Sequence, residues 1–476
     1  MNALLPAALA LVLLAAPAAR ASGFLFGENG TRALAQGGAF VAQADDLSAI
    51  QHNPAGLSQL RGFHLLADLQ LLNHDVTFQR RDPDGSANNI SEVSNNAGLF
   101  PLPMLGAGYG FPVAGRNLHL AIGAYGPPTV GRYRYAEPDY TRRDPNNATS
   151  PYNNDPRRIA AQRYGLIEND ILVAYPGLSA AYDLHRTVSV GVSLQYVYAT
   201  LMFRQSVTSA PFTADSMRRE DPLYDSVVLV EQKGKPTLTG VLGVQYRPSE
   251  NLHFGASWRP RIRVEADGTM DIELGQFARD AGAEVSGNGS TFIINLPHEV
   301  KLGAMYRPIR PLTLNAELEY QGWQAVQAFV LEPQFSLTVL GEEREVPQVV
   351  IPKKWTHAWG ARFGAAWAFD FGLTARAGVM WEQSGIPDEY LNLDFTHFDR
   401  VFATGGLEYA LGPVSLLVTG AWTPTQEKTV TNSQVRQSTT DTEVEGSVIG
   451  NGTYRSGGWI LGLGVRGSFG AGDTTR

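Results

Sequence analysis

The sequence predicts an all-β protein: a membrane-spanning antiparallel β-barrel of about 14 strands, with a small helical hatch, or plug, at its N-terminal end. Three observations lead to this fold class. Apolar residues alternate with small or polar ones in segments of about ten residues. Aromatic residues stand at the ends of many apolar faces, where a barrel meets the lipid boundary. Short turns alternate with long loops along the chain.

Residues 1–21 have the pattern of a secretory signal peptide. Leu9 to Ala16 form a short apolar core, and Ala19-Arg20-Ala21 supplies an A-x-A cleavage pattern, so we expect the mature chain to begin at Ser22. The apolar core is shorter than the ~20 residues that a membrane-spanning helix needs. A buried N-terminal helix is the alternative interpretation.

Residues 22–60 do not alternate, and we predict that they form the hatch. The Asp45-Asp46 pair precedes a short helical pattern, and Asn53-Pro54-Ala55-Gly56 marks its end. Two short helices are therefore expected here rather than a strand. We assign residues 61–469 to the barrel and residues 470–476 to a C-terminal tail.

The barrel strands are predicted from their period of two. From Val188 to Tyr198 the even positions are apolar and the odd positions are small or polar. The last strand, Trp459 to Phe469, repeats this pattern. The predicted strands centre near Leu65, Gly108, Leu120, Leu178, Leu194, Leu242, Phe254, Leu302, Leu314, Phe363, Ala377, Leu407, Leu416 and Leu463. An even number is typical of bacterial single-chain barrels.

The connections between these strands alternate in length. The long loops are expected at residues 73–98, 126–170, 205–225, 267–295, 325–354, 384–399 and 424–455. We place the long loops on the extracellular side and both termini in the periplasm, as in other barrels. A soluble β-sandwich is the alternative, but the signal peptide, the paired strands and the terminal aromatic residues favour the membrane.

Composition and motifs exclude several classes of function. The net charge of −8, without clustered Lys and Arg, argues against a nucleic-acid partner. The nine His residues are scattered without metal-ligand spacing, and no nucleophile elbow is present. The GxGxxG match at residues 462–467 lies inside the last strand, where no helix follows to bind a nucleotide. We therefore predict no enzymatic activity and no cofactor.

Two stretches of the sequence resemble a known family. The run ALAQGGAFVAQADDLSAIQHNPAGL after the SGF start, and the later run RAGVMWEQSGIPDEYLNLDFTHFDRVFATGGLEYAL, together resemble the FadL/TodX outer-membrane transporters of hydrophobic compounds. The resemblance implies a 14-stranded barrel that is closed by an N-terminal hatch. It also implies inward diffusion of long-chain fatty acids or small aromatic hydrocarbons without an energy source.

The resemblance also implies where a ligand binds. In that family the mature N-terminus reaches the internal pocket, which corresponds here to Ser22, Gly23 and Phe24, while Asn53, Pro54 and Ala55 would shape the hatch. A kink in an early strand opens a lateral exit through the wall. Pro127-Pro128 or Pro176-Gly177 could mark such a kink, and the sequence does not decide between them.

Other candidate ligand contacts come from the residues themselves. Alternation directs Lys301, Arg362 and Arg376 into the lumen, where they could bind a fatty-acid carboxylate. Pairing with lumen carboxylates at Glu317, Glu319, Glu382 and Glu408 is the alternative, and we favour it. The candidate landing surface for an apolar ligand consists of Phe212, Leu223, Tyr224, Leu274 and Phe277. Packing of those loop residues onto the barrel rim is the alternative, and we favour it.

The combined prediction is a monomeric outer-membrane channel for hydrophobic small molecules in a Gram-negative bacterium. Its partners would be the transported molecule and the membrane lipids, with no nucleic acid. Long-chain fatty acids are the first expectation for the cargo, and monoaromatic hydrocarbons are the alternative. A general porin and a barrel lipid hydrolase remain as other classes.

Overall fold

The computed structural model describes residues 26–129, 131–139, 158–208, 220–339, 341–438 and 446–470. Its strands are β1 (Gly62–Arg80), β2 (Val93–Ser94), β3 (Phe100–Val113), β4 (Arg116–Tyr125), β5 (Arg132–Arg134), β6 (Glu168–Ala174), β7 (Gly177–His185), β8 (Val188–Thr208), β9 (Asp225–Gly234), β10 (Thr237–Ser249), β11 (Leu252–Arg259), β12 (Ile262–Glu273), β13 (Glu284–Leu296), β14 (Glu299–Ile309), β15 (Leu312–Gln321), β16 (Ala328–Val339), β17 (Glu342–Glu345), β18 (Val349–Pro352), β19 (Ala358–Ala368), β20 (Leu373–Glu382), β21 (Arg400–Leu411), β22 (Val414–Val430) and β23 (Gly452–Phe469).

Fourteen of these strands close into an antiparallel barrel, which confirms the predicted fold class. The ring runs β1, β3, β4, β7, β8, β10, β11, β14, β15, β19, β20, β21, β22 and β23, and β23 returns to β1. The closing pair is the longest, from Phe63 opposite Phe469 to Arg80 opposite Gly452. Closure gives each of the fourteen strands a partner on both sides, as a lipid environment requires.

The predicted alternation is confirmed in the wall. Leu178, Leu302 and Leu463 are more than half exposed, although they are large apolar residues. Between them in sequence lie inward residues such as Ser179 and Lys301, which are buried. The outer surface of the wall is therefore apolar and suited to lipid, while these inward positions carry polar side chains.

The helices are few and short. They are α1 (Thr31–Ala35), α2 (Ala49–His52) and α3 (Gln276–Asp280), with 3-10 turns at Pro54–Gln59, Pro222–Tyr224, Trp323–Ala325 and Asp388–Tyr390. Among the described residues, no helix has the length and apolar character that crossing a membrane requires. The described part of the hatch, residues 26–60, contains α1, α2 and one 3-10 turn, and nearly all of its residues are buried.

The predicted loop boundaries are wrong for several long connections. Residues 267–295 and 325–354 were expected as loops, but most of them belong to β12, β13 and β16 to β18. Strand β8 likewise continues to Thr208 instead of ending near residue 205. Strand pairing continues beyond the apolar band because outside lipid a ladder does not need an apolar face.

A second sheet extends one side of the barrel. It contains β5, β6, the far end of β8, β9, β12, β13 and β16 to β18. Prolines interrupt several strands where this sheet meets the barrel, at Pro176, Pro236, Pro260 and Pro297. A proline lacks the N–H that a ladder needs, so these positions break the regular wall.

Candidate functional site

The Asn53-Pro54-Ala55 motif fastens the hatch to the barrel wall. The Asn53 side-chain amide donates to the carbonyl oxygen of Val41 at 2.8 Å and to that of Val244 on β10 at 3.0 Å. Its side-chain oxygen accepts from the N–H of Ala55 at 3.2 Å and so caps the turn that Pro54 begins. Asn53 is fully buried, and one amide side chain thus makes all three bonds.

Wall glycines let the hatch backbone approach closely. A Cβ atom on Gly243 would lie 2.0 Å from Oδ1 of Asn53, and one on Gly378 would lie 2.2 Å from the N of Gly37. Glu317 on β15 accepts from the N–H groups of Phe40 and Val41 at 2.9 and 2.8 Å. The hatch therefore packs directly against the backbone of the wall strands at these glycines. Its own backbone N–H groups donate to the Glu317 carboxylate of the wall.

A buried charged cluster joins the hatch to the wall. It consists of Glu28, Lys301, Glu317, Glu319 and Arg362. The Glu28 carboxylate lies 2.8 Å from the Lys301 ammonium and 3.0 Å from the Arg362 guanidinium. Arg362 also lies 2.8 Å from Glu317 and 2.5 Å from Glu319, while Lys301 lies 3.5 Å from Glu319. Lys301 and Arg362 thus have wall carboxylates as partners besides Glu28, in line with the alternative that we favoured.

Burial by itself would raise the pKa of Glu28, but the neighbouring Lys301 and Arg362 hold it well below its usual value. A depressed carboxylate pKa stabilises the folded state above the unfolded pKa, and that stabilisation is lost only as the pH falls through the folded pKa. The contact of Glu28 with the two cations should therefore stay constant from neutral to mildly acidic pH.

Other ion pairs lie in the body of the hatch, residues 31–60, or join it to the wall. Arg32 of α1 lies 2.9 Å from Asp45, and Asp46 lies 2.9 Å from Arg466 on β23. Arg376, the third predicted cation, lies 2.5 Å from Glu408. These pairs share no residue with the charged cluster. The two ends of the hatch are nevertheless connected, because Gln51 of α2 donates to Glu28 at 3.1 Å and Glu317 of the cluster binds the N–H groups of Phe40 and Val41.

We expect Glu28→Gln to loosen residues 26–30 and to leave the hatch body in place. Arg362 keeps Glu317 and Glu319, so no cation is left bare. Amide hydrogen exchange at residues 26–30 should become about tenfold faster, since a charge-assisted contact is lost. Exchange of α1 should be unchanged because its ion pairs are separate. Equal acceleration in both regions would show that the contacts of Glu28 also hold α1 in place.

Phe26 is the first described residue of the hatch, and its ring lies among aromatic side chains. Its ring is 5.1 Å from that of Phe402 in an edge-on arrangement and 4.6 Å from the ring of His74. The Arg400 guanidinium carbon lies 4.4 Å from the centre of the Phe26 ring, a cation–π contact. The backbone N–H of Phe26 donates to the carbonyl oxygen of Pro128 on the wall.

The wall is interrupted beside that contact. Register pairs between β4 and β7 stop at Gly123 opposite Gly177, and they resume at Arg132 opposite Asp170 in β5 and β6. Between these points the two sides are joined by backbone bonds at both ends of the interval, from the Tyr175 N–H to the Tyr125 carbonyl and from the Ile171 N–H to the Gly131 carbonyl. We call the intervening stretch, with residues 124–129 on one side and residues 171–176 on the other, the wall gap. Both predicted kinks border it, because Pro127-Pro128 lies on one side and Pro176 on the other. The Asn29 amide donates to the Gly126 carbonyl, so hatch residues satisfy polar groups that the gap leaves free.

A pocket lies between the wall gap and the charged cluster. Its lining is Gly27, Glu28, Gln51, Tyr125, Pro127, Pro128, Tyr175, Arg259, Glu299, Lys301, Glu319 and Arg362. Arg259 was not singled out from the sequence, although alternation after Trp258 would have directed it inward. Its guanidinium donates to the Tyr125 hydroxyl and lies 5.0 Å from the centre of the Tyr175 ring. Glu299, at 3.8 Å, is the carboxylate paired with it among the described residues.

The remaining predicted residues have varied positions. Ser22, Gly23, Phe24 and Phe212 lie outside the described residues. Leu223, Tyr224, Leu274 and Phe277 are half-buried, and the Tyr224 and Phe277 rings are 4.8 Å apart. The helix near them covers only Gln276–Asp280, because the chain up to Glu273 stays in β12. No cluster of His, Asp or Glu able to hold a metal ion occurs within the described ranges.

Comparison with known proteins gives a family match. Residues 145–469 match the model of a family described as outer membrane protein transport protein (OMPP1/FadL/TodX). A long-chain fatty acid transport protein of Escherichia coli O6:H1 is 18% identical over 272 residues, which cover 53% of this chain. The match spans 59% of that relative's length.

Solved structures share the fold at low identity. A Pseudomonas aeruginosa FadL homologue superposes with a TM-score of 0.71 at 15% identity, covering 94% of this chain and all of the other. The Ralstonia pickettii toluene transporter TbuX gives a TM-score of 0.62 at 15% identity, covering 93% of this chain and 99% of the other. At this level of identity, these similarities show that the proteins share the fold.

Proposed function

This chain belongs to the outer membrane protein transport family (OMPP1/FadL/TodX), and we propose that it takes up hydrophobic molecules, with long-chain fatty acids as the first cargo class. Uptake would be passive diffusion, with no catalytic step and no cofactor. We further propose that the chain acts as a monomer, with its long loops extracellular and both termini in the periplasm.

One observation carries this proposal: the first described hatch residues contact both the internal pocket and the interrupted wall. Glu28 lines the pocket, while Phe26 and Asn29 bond to carbonyls at the wall gap. A ligand that displaces residues 26–30 would therefore free the pocket and the gap together. This arrangement couples ligand binding to opening of a lateral exit.

The wall gap is suited to release an apolar molecule into the membrane. Irregular backbone at membrane depth is tolerated where it is buried in protein or lines a cavity, and here the hatch supplies the missing partners. An apolar molecule leaving sideways would avoid the hatch body, which fills the lumen below. A general porin needs an open water path, so the buried hatch argues against that class.

The aromatic lining of the lumen favours monoaromatic hydrocarbons as a second candidate cargo. Phe26 lies in a buried apolar cluster with Phe402, Tyr133 and Tyr454. Aromatic rings attract one another in edge-on geometries, as Phe26 and Phe402 do here. A toluene-like ring could replace the Phe26 ring without any need for a charged partner.

The test is uptake of a labelled long-chain fatty acid and of labelled toluene, by cells that lack their own transporter and express this chain. Faster uptake of the fatty acid than in cells with an empty vector is the expected result. Faster uptake of toluene alone would select the second candidate. Uptake of neither, with the barrel inserted in the outer membrane, would overturn the proposal.

Deleting residues 22–26 should change ligand affinity while the barrel stays folded. The deletion removes the Phe26 ring from its aromatic site and removes one bond to the wall gap. We expect affinity for the fatty acid to rise about tenfold, since a competing internal group is lost. Heat-modifiable migration on gels checks the folded barrel. Unchanged affinity would contradict a role for this segment in the pocket.

A further inference from the structure

Two exposed arginines lie on neighbouring short turns, at the end of the barrel where the hatch joins β1. Arg116 follows the turn between β3 and β4, and Arg186 lies in the turn between β7 and β8. Both side chains are exposed, and neither is paired with a carboxylate within the described ranges. Asp183, the nearest carboxylate to Arg186 in sequence, pairs with Arg247 at 2.7 Å instead. The two positive charges therefore stand at the surface without a counter-ion from the described chain.

The strand register brings these two arginines together. β4 and β7 are paired neighbours in the wall, and the Arg116 guanidinium donates to the carbonyl oxygen of Asp183 at 3.3 Å. Continuing the register of this pair places Arg116 beside Leu184, two residues before Arg186. Diagonal neighbours of this kind lie about 7–8 Å apart, which long side chains can bridge. One anionic group can therefore contact both guanidinium groups.

A column of apolar side chains on the outer wall begins beside this arginine pair. Its members, each about half exposed or more, are Leu120, Ile122, Leu178 and Leu184. Ile122 and Leu178 form the register pair next to the last one before the wall gap. From Leu184 to Leu178 the column is about 20 Å long, at about 3.3 Å per residue. On strands that tilt by about 35–45°, this length corresponds to roughly half of the hydrocarbon core, which is one leaflet.

Tyrosine side chains mark the level of the membrane surface at this end of the barrel. Tyr109, Tyr246 and Tyr306 are about half exposed on the outer wall. Tyr246 lies opposite Val188, which is two residues from Arg186. Tyrosine rings are enriched at the headgroup level of a membrane, where one end of the ring is apolar and the other is wet. The arginine pair, just beyond these rings, therefore stands at the height of the lipid phosphates.

The chemistry of the pair fits a phosphate diester. A guanidinium group presents a planar fork of donors, which matches two phosphate oxygens at once. The inner leaflet of a bacterial outer membrane consists of glycerophospholipids, which carry a negative phosphate above two acyl chains. The short turns face that leaflet in the orientation proposed above. Such a lipid offers an anion at the level of the arginines and hydrocarbon at the level of the apolar column.

We propose that Arg116 and Arg186 bind the phosphate of an inner-leaflet glycerophospholipid, one of whose acyl chains lies along the apolar column. We call this arrangement the rim lipid site. The end of the acyl chain reaches the wall gap from the membrane side, while hatch residues contact the gap from the lumen. The site rests on the proposed function for its orientation, and it makes this lipid the first molecule that a cargo leaving through the gap meets.

The test is native mass spectrometry of the full chain, delipidated in detergent, with dioleoyl phosphatidylglycerol and dioleoylglycerol as probes. The two probes have the same acyl chains, but only the first carries a phosphate. The double variant Arg116→Gln and Arg186→Gln should bind the first phosphatidylglycerol molecule about tenfold more weakly, because two charge-assisted contacts are lost. Binding of dioleoylglycerol should change less than about twofold. Inorganic phosphate at the same concentration should not displace the lipid, since it lacks the acyl chains.

Arg310→Gln is the matched control, because Arg310 is an exposed arginine on the turn after β14, four strands beyond β7 around the ring. It removes the same charge, and it should weaken phosphatidylglycerol binding less than about twofold. Equal weakening by Arg310→Gln and by the double variant would reveal general attraction to a charged rim and overturn the site. Unchanged binding in the double variant would also overturn it. So would equal weakening for dioleoylglycerol, or displacement of the lipid by inorganic phosphate.

Both replaced side chains are exposed, so the double variant should fold, which heat-modifiable migration on gels checks. Should it fail to fold, Arg186→Gln alone serves, because the Arg186 side chain has no hydrogen bond to the described chain. The single variant should weaken phosphatidylglycerol binding about threefold, and unchanged binding in it would overturn the site.

The outcome is separable from that of the proposed function, because lipid binding in detergent does not depend on uptake by cells. Fatty-acid uptake by the wild type, with unchanged phosphatidylglycerol binding in the double variant, would leave transport standing and overturn the rim lipid site. Weakened phosphatidylglycerol binding in the double variant, with no uptake of either cargo by cells that express the wild type, would support the site and overturn the proposed function.

Discussion

Replacing Arg362 with Met should destabilise the protein by about 3–5 kcal/mol, the cost of breaking a buried ion pair. Arg362 is 2% exposed, and its guanidinium lies within 4.0 Å of carboxylates from Glu28, Glu317, Glu319 and Glu382. Without it, these carboxylates remain close together in the lumen, and the mutual repulsion adds to the lost attraction. We expect the N-terminal end of the hatch to detach first. Glu28 is the hatch residue of the charged cluster, and Arg362 is one of the two cations that bind it.

The measurement is chemical unfolding of the lipid-reconstituted protein, followed by tryptophan fluorescence. Arg344→Met is the control, since Arg344 and its partner Glu342 are exposed and should contribute less than about 1 kcal/mol. Equal unfolding midpoints for the Arg362→Met protein and the wild type would show that the charged cluster does not hold the fold together.

Replacing Asn53 with Asp should release the hatch while the barrel remains closed. The amide of Asn53 donates to the carbonyls of Val41 and Val244, whereas a carboxylate would direct negative charge at both. Leaving a buried charge against two acceptors costs about 3–5 kcal/mol, far more than the gain from any new contact. The wall ladder does not include Asn53, so the strands should stay paired.

Vesicle swelling with small sugars measures the result, because a displaced hatch opens a water path through the lumen. Permeability well above that of the wild type is expected, together with normal heat-modifiable migration. Asn96→Asp, at an exposed loop position, is the matched control and should leave permeability unchanged. Loss of the folded barrel in the Asn53→Asp protein would place Asn53 in barrel assembly instead.

Much of the wall could be predicted, since side chains in a strand alternate between two faces whatever the rest of the chain does. Leu302 was predicted to face lipid and Lys301 the lumen, and the structure confirms both. The bounds of the strands were less predictable. Ladders such as β12 with β13 continue beyond the apolar band, where sequence alternation no longer marks them.

The partners inside the lumen could not be predicted by the same reasoning. Glu28 lies in a stretch without periodicity, so no pattern connects it to Lys301, 273 residues away. The loop at residues 384–399, between β20 and β21, was expected outside the barrel because loops are usually at the surface. Its alternate apolar residues, Leu391, Leu393 and Phe395, were a signal in the sequence that could have suggested burial.

The sequence by itself determined the class of barrel, the number of barrel strands and which residues of the wall face lipid, because these follow from local alternation and turn residues. Tertiary structure alone decided which charges meet and where the wall is interrupted. Those contacts join hatch, wall and loops across long chain separations, and only closure of the barrel brings the wall gap, Glu28 and Arg259 to one pocket.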